Sequence, residues 1–396
     1  MAEQRDRGAA SVPRYEKEKK IMNKKEISEI KKQFTPANCA ITRICGCYVN
    51  VEKEIITQFK EAFLSLPEEE AFKYFEIFKK SLSGKIGKNL HNLGFPLKEE
   101  AKDGKQDFLM QLRESQLKDE NLLSEAYERI IQSYDCAGNF IIVLIHGIYD
   151  IPGKGTDGRA MFDASDEIYD HILCCICPMT LAKPGLAYNE KEQCIKNRER
   201  DWVVDMPDCA FLFPAFNDRS ADIHAALYYT KKGTQLQERI ISELFGCDVP
   251  LTCDTQKELF QALVEEVAGD SMDIETAKAL NDNLMEYAEE QKMSAEPSPL
   301  TKETIRDILT ASSLPDENME HFDDVFDGLA DEKTVIEPQN VVNEAKFEVK
   351  TGSWCIQTSP EEAQALKMQY VDGRRCLVIE LADDVTVNGI NITAIK

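Results

Sequence analysis

The sequence contains no uncharged stretch long enough to cross a membrane as a helix. Its longest run without Asp, Glu, Lys or Arg extends from Cys136 to Tyr149 and includes polar residues and glycines, whereas a spanning helix needs about 20 mostly apolar residues. The N-terminal residues alternate in charge and lack the apolar core of a secretory signal. We therefore expect a cytoplasmic protein without a membrane partner.

The sequence also lacks the cysteine spacing of a disulfide-bonded or zinc-binding domain. It has 13 cysteines, an odd number, and Cys174 and Cys175 are adjacent, which is typical of free thiols in a reducing compartment. Neither the C-x-C pair of Cys45 and Cys47 nor the group of Cys174, Cys175 and Cys177 is accompanied by paired C-x-x-C motifs. We expect these cysteines to be small buried apolar residues.

Lys and Arg are too few to balance the acidic residues, and the imbalance is local. The formal net charge is −24, and residues 254–337 contain 23 Asp or Glu against 6 Lys or Arg. Such a field repels phosphate backbones, which disfavours nucleic acid as a partner. This acidic segment is a candidate surface for a protein partner. One basic cluster keeps a nucleic-acid contact open, and it consists of Lys183, Lys191, Lys196, Arg198 and Arg200.

Composition and hydrophobic periodicity divide the chain into five segments. They are a flexible extension (1–21), a helical N-terminal part (22–135), a central β-sheet region (136–250), an acidic helical segment (251–335) and a small C-terminal β module (336–396). Asn23 and Glu26 have the spacing of a helix N-cap and its third residue, so we expect the ordered protein to begin at Met22.

The central region contains four segments rich in β-branched and aliphatic residues, which are residues 140–149, 168–177, 210–215 and 222–230. The one helix candidate between them is residues 189–200, so a regular βαβ repeat is absent. We predict an α+β fold, with a central antiparallel or mixed sheet flanked by helices and a small C-terminal β module.

Three local patterns refine this prediction. Apolar residues at Ile55, Phe59 and Phe63 indicate another N-terminal helix after an extended piece at residues 39–51. Near the C-terminus, Asp372-Gly373 and Asn388-Gly389 are typical of two-residue hairpin turns, and they are predicted to join short strands there.

Three glycines match a motif that binds dinucleotides. Gly153, Gly155 and Gly158 follow a predicted strand with G-x-G-x-x-G spacing. The residues after them do not form the helix that this motif requires, and no second βαβ unit follows. We therefore favour a loop between strands, and no cofactor is predicted from this motif.

A polar turn at residues 217–224 lies between apolar segments and concentrates the candidate chemistry. The candidate catalytic residues are Asp218, Arg219, Asp222 and His224. If the strands are neighbours, a hard or borderline divalent metal has four candidate ligands, which are His146, Asp150, Asp222 and His224. The alternative, which we favour, is a hydrogen-bonded turn in which Arg219 pairs with a carboxylate and a neighbour satisfies His224.

The sequence contains no complete set of catalytic residues that a known motif would identify. It therefore favours a non-catalytic binding or interaction protein, and nucleic acid is one candidate partner. The alternative is a metal-assisted hydrolase of nuclease or phosphoesterase type. In that case the His and Asp residues hold the divalent metal and Arg219 holds an anionic group of the substrate.

Several segments together resemble a bacterial family known as domain of unknown function 4317, and they lie at residues 23–27, 34–36, 41–49, 213–220 and 244–247. The resemblance covers nearly the whole chain from Met22. It implies a bacterial cytoplasmic protein that begins at Met22, and it implies no particular activity. A smaller likeness, confined to residues 244–247 and the order of sheet and helices, is to bacterial nucleoid-associated proteins, and fold analogy of this kind does not transfer function.

Overall fold

The fold is built around one large antiparallel sheet that lies between two layers of helices. The computed structural model describes residues 21–154, 160–294, 297–331, 334–380 and 385–392. A second helical core and a set of small hairpins follow the sheet along the chain. No described helix is long and apolar enough to span a bilayer.

The elements below are given in chain order. The strands are β1 (Ile41–Val49), β2 (Ile55–Glu61), β3 (Leu90–Gly94), β4 (Phe140–Lys154), β5 (Ala160–Leu181), β6 (Leu186–Asn189), β7 (Cys194–Asn197), β8 (Trp202–Val204), β9 (Cys209–Phe213), β10 (Ala215–Asn217), β11 (Ser220–Asp222), β12 (Ala225–Thr230), β13 (Phe347–Lys350), β14 (Cys355–Thr358), β15 (Leu366–Val371), β16 (Arg374–Ile379), β17 (Val385–Val387) and β18 (Ile390–Ile392). The helices are α1 (Lys24–Lys31), α2 (Glu68–Ser81), α3 (Lys105–Glu114), α4 (Glu120–Ser133), α5 (Cys253–Ala268), α6 (Ile274–Met293), α7 (Lys302–Ala311), α8 (Asp316–Met319), α9 (Phe322–Leu329) and α10 (Pro338–Val341), with a π-helical turn at Ile240–Phe245.

The large sheet has the strand order β2-β1-β4-β5-β9-β12-β3, and β8 pairs with the end of β5. Every pairing in it is antiparallel. The α+β class is therefore confirmed. Residues 140–230 supply β4, β5, β8, β9 and β12 to this sheet, but they do not form a single sheet, because β6-β7 and β10-β11 are separate hairpins. The choice left open between antiparallel and mixed is settled as antiparallel.

Both faces of the sheet are buried, because the side chains of each strand alternate between two hydrophobic cores. On β4, Ile142 and Leu144 pack in the core that contains α3 and α4. Val143 and Ile145 pack in the core that contains α1 and α2. Burial on both sides explains why these strands are continuous apolar runs in the sequence.

Sequence signals predicted the start of the first helix and the thiol state. Asn23 caps α1, and its side chain accepts from the backbone N–H groups of Lys25 and Glu26 while Glu26 bonds back to the Asn23 N–H. This capping box confirms the N-cap prediction. All 13 cysteines are free, and those at positions 45, 47, 174, 175 and 177 are buried.

The prediction of a helix through Ile55 and Phe59 is wrong, because these residues form β2. The strand pairs with β1 from Ile44 to Val49, and Phe59 lies opposite Gly46. An added Cβ at Gly46 would lie 2.3 Å from the Phe59 ring. The spacing fitted a helix, but the unpaired edge of β1 recruits the segment into the sheet. The N-terminal part thus supplies three strands besides its helices.

The prediction of a helix at residues 189–200 is also wrong, because β6 and β7 form a hairpin there. The Asn189 side chain accepts from the backbone N–H groups of Lys191 and Glu192, and Gln193 has φ 49°. A side chain that bonds two residues ahead and a left-handed residue both favour a turn over a helix. We call residues 182–206, which contain β6, β7 and β8, the arm.

The acidic helical segment has a core of its own, formed by α5, α6, α7 and α9 with Phe260, Leu284 and Phe322 among its members. It is joined to the sheet unit by the side chains of Gln339 and Asn340, which donate to the carbonyl oxygens of Ile86 and Gly87.

After α10 the chain forms three separate hairpins, β13-β14, β15-β16 and β17-β18. Asp372 and Gly373 have positive φ angles, as do Asn388 and Gly389. This is the geometry of type I′ turns and confirms the hairpin prediction. Of the glycine motif, Gly155 and Gly158 lie outside the described residues. β5 begins at Ala160, so a strand rather than a helix follows the motif.

Candidate functional site

A chain of three polar side chains crosses neighbouring strands at one end of the sheet. The Thr42 hydroxyl oxygen lies 2.6 Å from Nδ1 of His146, and Nε2 of His146 lies 2.7 Å from Oδ1 of Asp170. His146 is on β4, and Asp170 is two residues from Ile172, which lies opposite His146 on β5. Because strand side chains alternate, His146 and Asp170 share one face. We call these residues the Thr42 triad.

The acceptor of the triad fixes the direction of its hydrogen bonds. A carboxylate accepts and does not donate, so Nε2–H of His146 donates to Asp170. In the neutral imidazole Nδ1 is then an acceptor, and the Thr42 hydroxyl donates to it. The same hydroxyl also lies 3.2 Å from the His146 carbonyl oxygen. The shorter of the two contacts is the hydrogen bond that the hydroxyl donates to the ring nitrogen. A general base must accept from the hydroxyl in this direction.

A β-bulge places Thr42 in this position. β1 pairs with β4 through Ile41 opposite Gly147 and through Arg43 opposite His146, so Thr42 is the extra residue. Bulges redirect one side chain out of the regular alternation, and they are frequent beside active sites. Thr42 is exposed, whereas the His146 side chain is 0% exposed and that of Asp170 is 35% exposed. The triad therefore runs from an exposed hydroxyl through a buried imidazole to a partly exposed carboxylate.

The other face of the sheet carries a different cluster, centred on Glu29 of α1. Its Oε1 accepts from Nη2 of Arg219 at 3.0 Å and from the Tyr149 hydroxyl at 2.9 Å, and Arg219 also donates to the Pro152 carbonyl at 3.1 Å. Burial, followed by the bond to the Glu29 carboxylate, raises the pKa of Tyr149 to about 12. The anionic group that Arg219 holds here belongs to the protein, and the cluster joins α1 to the sheet.

Burial also raises the pKa of Glu26 in the same region. The opposing contributions come from hydrogen bonds to the backbone of Asn23, Asp218 and Arg219. The turn that carries Asp218 and Arg219 is thus attached to the first helix through Glu26 as well as through Glu29.

The predicted polar turn is a tight hairpin between β10 and β11. Asp218 and Arg219 have φ angles of 50° and 56°, so both central residues are left-handed, as in a type I′ turn. Asp222 accepts from the Asn217 amide at 2.6 Å and from the His224 backbone N–H at 3.0 Å. The carboxylate is used to hold the hairpin, which matches the hydrogen-bonded turn that the sequence favoured.

The His224 side chain is bonded to Glu100 and not to another candidate residue. Its Nδ1 is 3.0 Å from Oε1 of Glu100, and its side chain is 66% exposed. The sequence placed it on a strand with Asp222, but β11 ends at Asp222 and β12 begins at Ala225. His224 is therefore in the connection between the two strands.

The fold does not gather the four predicted metal ligands into one group. His146 is bonded within the Thr42 triad, Asp222 holds its own hairpin, and His224 contacts Glu100. Asp150 is exposed on β4, opposite Ile168. Across the residues that the structure describes, no cluster of three or more His, Cys, Asp or Glu could hold a metal ion. The catalytic roles predicted for Asp218, Arg219, Asp222 and His224 stay predictions.

Sequence reasoning identified His146 but missed its partners. Asp170 is 24 positions further along the chain, and Thr42 is 104 positions earlier. The alternation of β4 and β5 was visible in the sequence, but the register that brings Asp170 beside His146 was not. No sequence signal marked the bulge at Thr42.

The arm is a second candidate site, of a different kind. On one face of its hairpin, Leu186, Tyr188 and Ile195 are 78%, 62% and 71% exposed. The exposed apolar residues continue through the end of the arm, and they are Trp202, Val203, Val204 and Met206. Several exposed apolar residues within one short segment are typical of an interaction site.

The comparison with curated proteins gives no match. The comparison with protein-family models gives one described as Domain of unknown function (DUF4317), which matches residues 22–390. The match covers the large sheet with its helices, the acidic helical segment and nearly all of the C-terminal hairpins. It begins at Met22, where the sequence predicted that the ordered protein begins. The chain belongs to the DUF4317 family.

Proposed function

We propose that this protein is an interaction protein whose main contact surface is the arm. The observation that carries the proposal is the exposed apolar face of Leu186, Tyr188 and Ile195, together with the exposed apolar residues 202–204 in the same arm. Ordinary surface hydrophobic residues occur singly, whereas a contiguous set needs a partner to remove it from water. The antiparallel sheet provides a rigid base, because β8 is paired to the end of β5.

The composition of the arm favours a protein partner over nucleic acid. Residues 182–206 contain five Lys or Arg and five Asp or Glu, so the predicted basic cluster is neutralised within the same segment. Lys196, for example, forms an ion pair with Glu192 at 3.0 Å. Nucleic-acid sites need a net positive surface, which the arm does not have.

We propose a second copy of this chain as the partner that occupies the arm. Two chains that each carry a net charge of −24 repel one another over most of their surface. The arm has no net charge, so it is where two copies approach with least repulsion. An apolar face is also complementary to itself, which a two-fold symmetric contact requires. The 13 free thiols support a cytoplasmic location for this assembly.

The oligomeric state of the full chain tests this proposal. We expect sedimentation-velocity ultracentrifugation to show a dimer that dissociates on dilution, because association depends on protein concentration. Leu186→Ser should shift the protein to a monomer. Leu64→Ser is the matched control, since Leu64 is also 78% exposed but lies outside the arm, and it should leave the dimer intact.

Two results would overturn the proposal. One is a wild-type protein that stays monomeric over a hundredfold range of concentration. The other is a dimer that both Leu186→Ser and Leu64→Ser leave unchanged, which would favour a contact elsewhere, such as the acidic helical segment. Salt-sensitive binding of a labelled single-stranded oligonucleotide that Leu186→Ser abolishes would favour the nucleic-acid alternative.

A metal-assisted hydrolase remains the second proposal from the sequence, and the side-chain positions support it less. Its ligands His146, Asp222 and His224 each have other partners within the protein. Elemental analysis of the purified protein for bound zinc or manganese tests it directly.

A further inference from the structure

The Thr42 triad has a feature that a purely structural network does not need, which is an exposed hydroxyl at its end. A threonine at the surface ordinarily satisfies its hydroxyl with water. Thr42 is exposed, yet its hydroxyl lies 2.6 Å from a ring nitrogen of a fully buried histidine. The second ring nitrogen is bonded to a carboxylate at 2.7 Å. Hydroxyl, imidazole and carboxylate in this order form the arrangement that activates a hydroxyl nucleophile.

We propose that Thr42 is the nucleophile of an acyl-transfer site, with His146 as its general base and Asp170 as a positioning residue. The inference is independent of the proposed dimer, because it concerns the sheet and not the arm. The bulge supports it, since regular pairing of β1 would direct the residue before Arg43 away from His146.

Hydrolysis of the ester at this site requires only the three side chains and water. Oγ1 of Thr42 attacks the carbonyl carbon of an ester, and its proton passes to Nδ1 of His146. The bond to the alcohol oxygen then breaks, the alcohol leaves with the proton from Nδ1, and the acyl group remains on Thr42. Water loses a proton to Nδ1, attacks the acyl carbon and releases the acid, while Oγ1 recovers its proton.

Asp170 holds the imidazole in the tautomer that this sequence needs. Its carboxylate accepts the Nε2 proton, so Nδ1 stays free to take the proton of Thr42. The carboxylate also stabilises the imidazolium that forms during each step. Replacing Asp170 by Asn removes the charge while retaining a hydrogen-bonding side chain.

Arg43 indicates the class of ester. It lies opposite His146 in the strand pairing and follows the nucleophile directly. Arg43 has no ion-pair partner within the described ranges. Its charge acts on Cys45, where it lowers the pKa of the thiol, but burial raises that pKa by more. A guanidinium without a carboxylate partner favours a negatively charged ligand. We therefore infer that the site takes esters whose acyl group carries a carboxylate.

Covalent labelling of the full-length protein tests the nucleophile. We expect a fluorophosphonate probe to label the wild type, with the modified peptide containing Thr42 identified by mass spectrometry. Thr42→Ser should retain labelling, and Thr42→Val should lose it. Thr57→Val is the matched control, because Thr57 is also an exposed strand threonine, on β2, and has no partner in this network. It should label as the wild type does.

Hydrolysis of two chromogenic esters tests the substrate class. We expect mono-p-nitrophenyl succinate to be cleaved faster than p-nitrophenyl acetate, and Arg43→Gln to remove that preference. Thr42→Val should lower the rate for both esters by about a hundredfold or more, the contribution typical of a positioned base and its nucleophile. Asp170→Asn should lower kcat more than it raises KM, which a merely structural role would not do.

The proposal fails if the wild type is not labelled, or if Thr42→Val is labelled as strongly as the wild type. It also fails if hydrolysis is the same in wild type, Thr42→Val and Thr57→Val. Circular dichroism of each variant shows that it is folded, and Thr42→Val changes one exposed side chain of nearly equal volume. Loss of stability in Thr42→Val without loss of labelling would assign the triad a structural role alone.

Discussion

The central sheet and the peripheral hairpins are both antiparallel, but they differ in what covers them. All residues of β9 and β12 are buried, whereas all residues of β18 in the last hairpin are exposed. Hydrogen bonding between strands is therefore present in both regions and does not distinguish them. What distinguishes them is apolar surface removed from water, which is the main favourable contribution to folding. The central sheet therefore contributes most of the buried apolar surface, and the arm and hairpins contribute little.

The largest expected effect is the removal of an aromatic ring from the central sheet. Phe211 is 2% exposed and packs edge-on against Phe245, with ring centroids 5.1 Å apart. We expect Phe211→Ala to lower the free energy of unfolding by about 3–5 kcal/mol, through lost burial and the cavity that remains. Trp202→Ala in the arm should cost less than about 0.5 kcal/mol in the monomer. Urea unfolding of both variants measures the difference, and equal losses would contradict the comparison.

The next effect is a dependence of stability on pH that arises inside the sheet. Burial lowers the pKa of His171 from 6.5 to about 4, and its Nε2 has no hydrogen-bond partner among the described residues. Between these values the unfolded chain binds a proton that the folded chain does not. The free energy of unfolding should therefore be retained above pH 6.5 and fall by about 3 kcal/mol as the pH is lowered to 4.

His171→Phe is the variant that isolates this effect. A phenyl ring can keep the stacking on Tyr169, whose ring centroid is 4.6 Å away, and it does not titrate. Carboxylates and His91, whose pKa burial also lowers, contribute to both proteins alike. Urea unfolding from pH 7 to pH 4 should give a shallower decline for the variant, and parallel curves would rule out His171 as the cause.

The smallest expected effect compares two glycines. A Cβ on Gly46 of β1 would lie 2.4 Å from the carbonyl oxygen of Ile142, whereas a Cβ on Gly352, in the turn between β13 and β14, meets nothing within 4 Å. We expect Gly46→Ala to cost about 1–3 kcal/mol, because the backbone of the packed sheet must move. Gly352→Ala should change stability by less than about 0.5 kcal/mol. Thermal unfolding distinguishes the two variants. An unchanged unfolding temperature for Gly46→Ala would show that the sheet accommodates the extra methyl group without cost.

Sequence reasoning succeeded where one signal was local and strong. The cap at Asn23, the turns at Asp372 and Asn388 and the apolar runs of β4 and β5 each depend on residues within a few positions of one another. It failed for β2, because Ile55 and Phe59 fit a helical stripe as well as a strand. The choice between them is made by β1, whose edge lies beside that segment.

The candidate sites show the same division. His146 was recognised as a polar residue in an apolar run, but the partners expected for it were Asp150, Asp222 and His224. Of these, His224 instead contacts Glu100. The actual partners of His146, Thr42 and Asp170, depend on strand register and on one bulge. Register is fixed by the packing of both faces at once, and a single sequence does not display it.

By itself, the sequence determined the α+β class, the free thiols, the acidic helical segment and the positions of the caps and hairpin turns. These follow from composition, from periodicity and from the backbone preferences of Asn, Asp and Gly, all of which act over short distances along the chain. Only the tertiary structure decided which strands are neighbours, that the arm is a hairpin, and that an exposed hydroxyl lies beside a buried imidazole. Those contacts include residues more than a hundred positions apart, and they are determined by the burial of two apolar cores on one sheet.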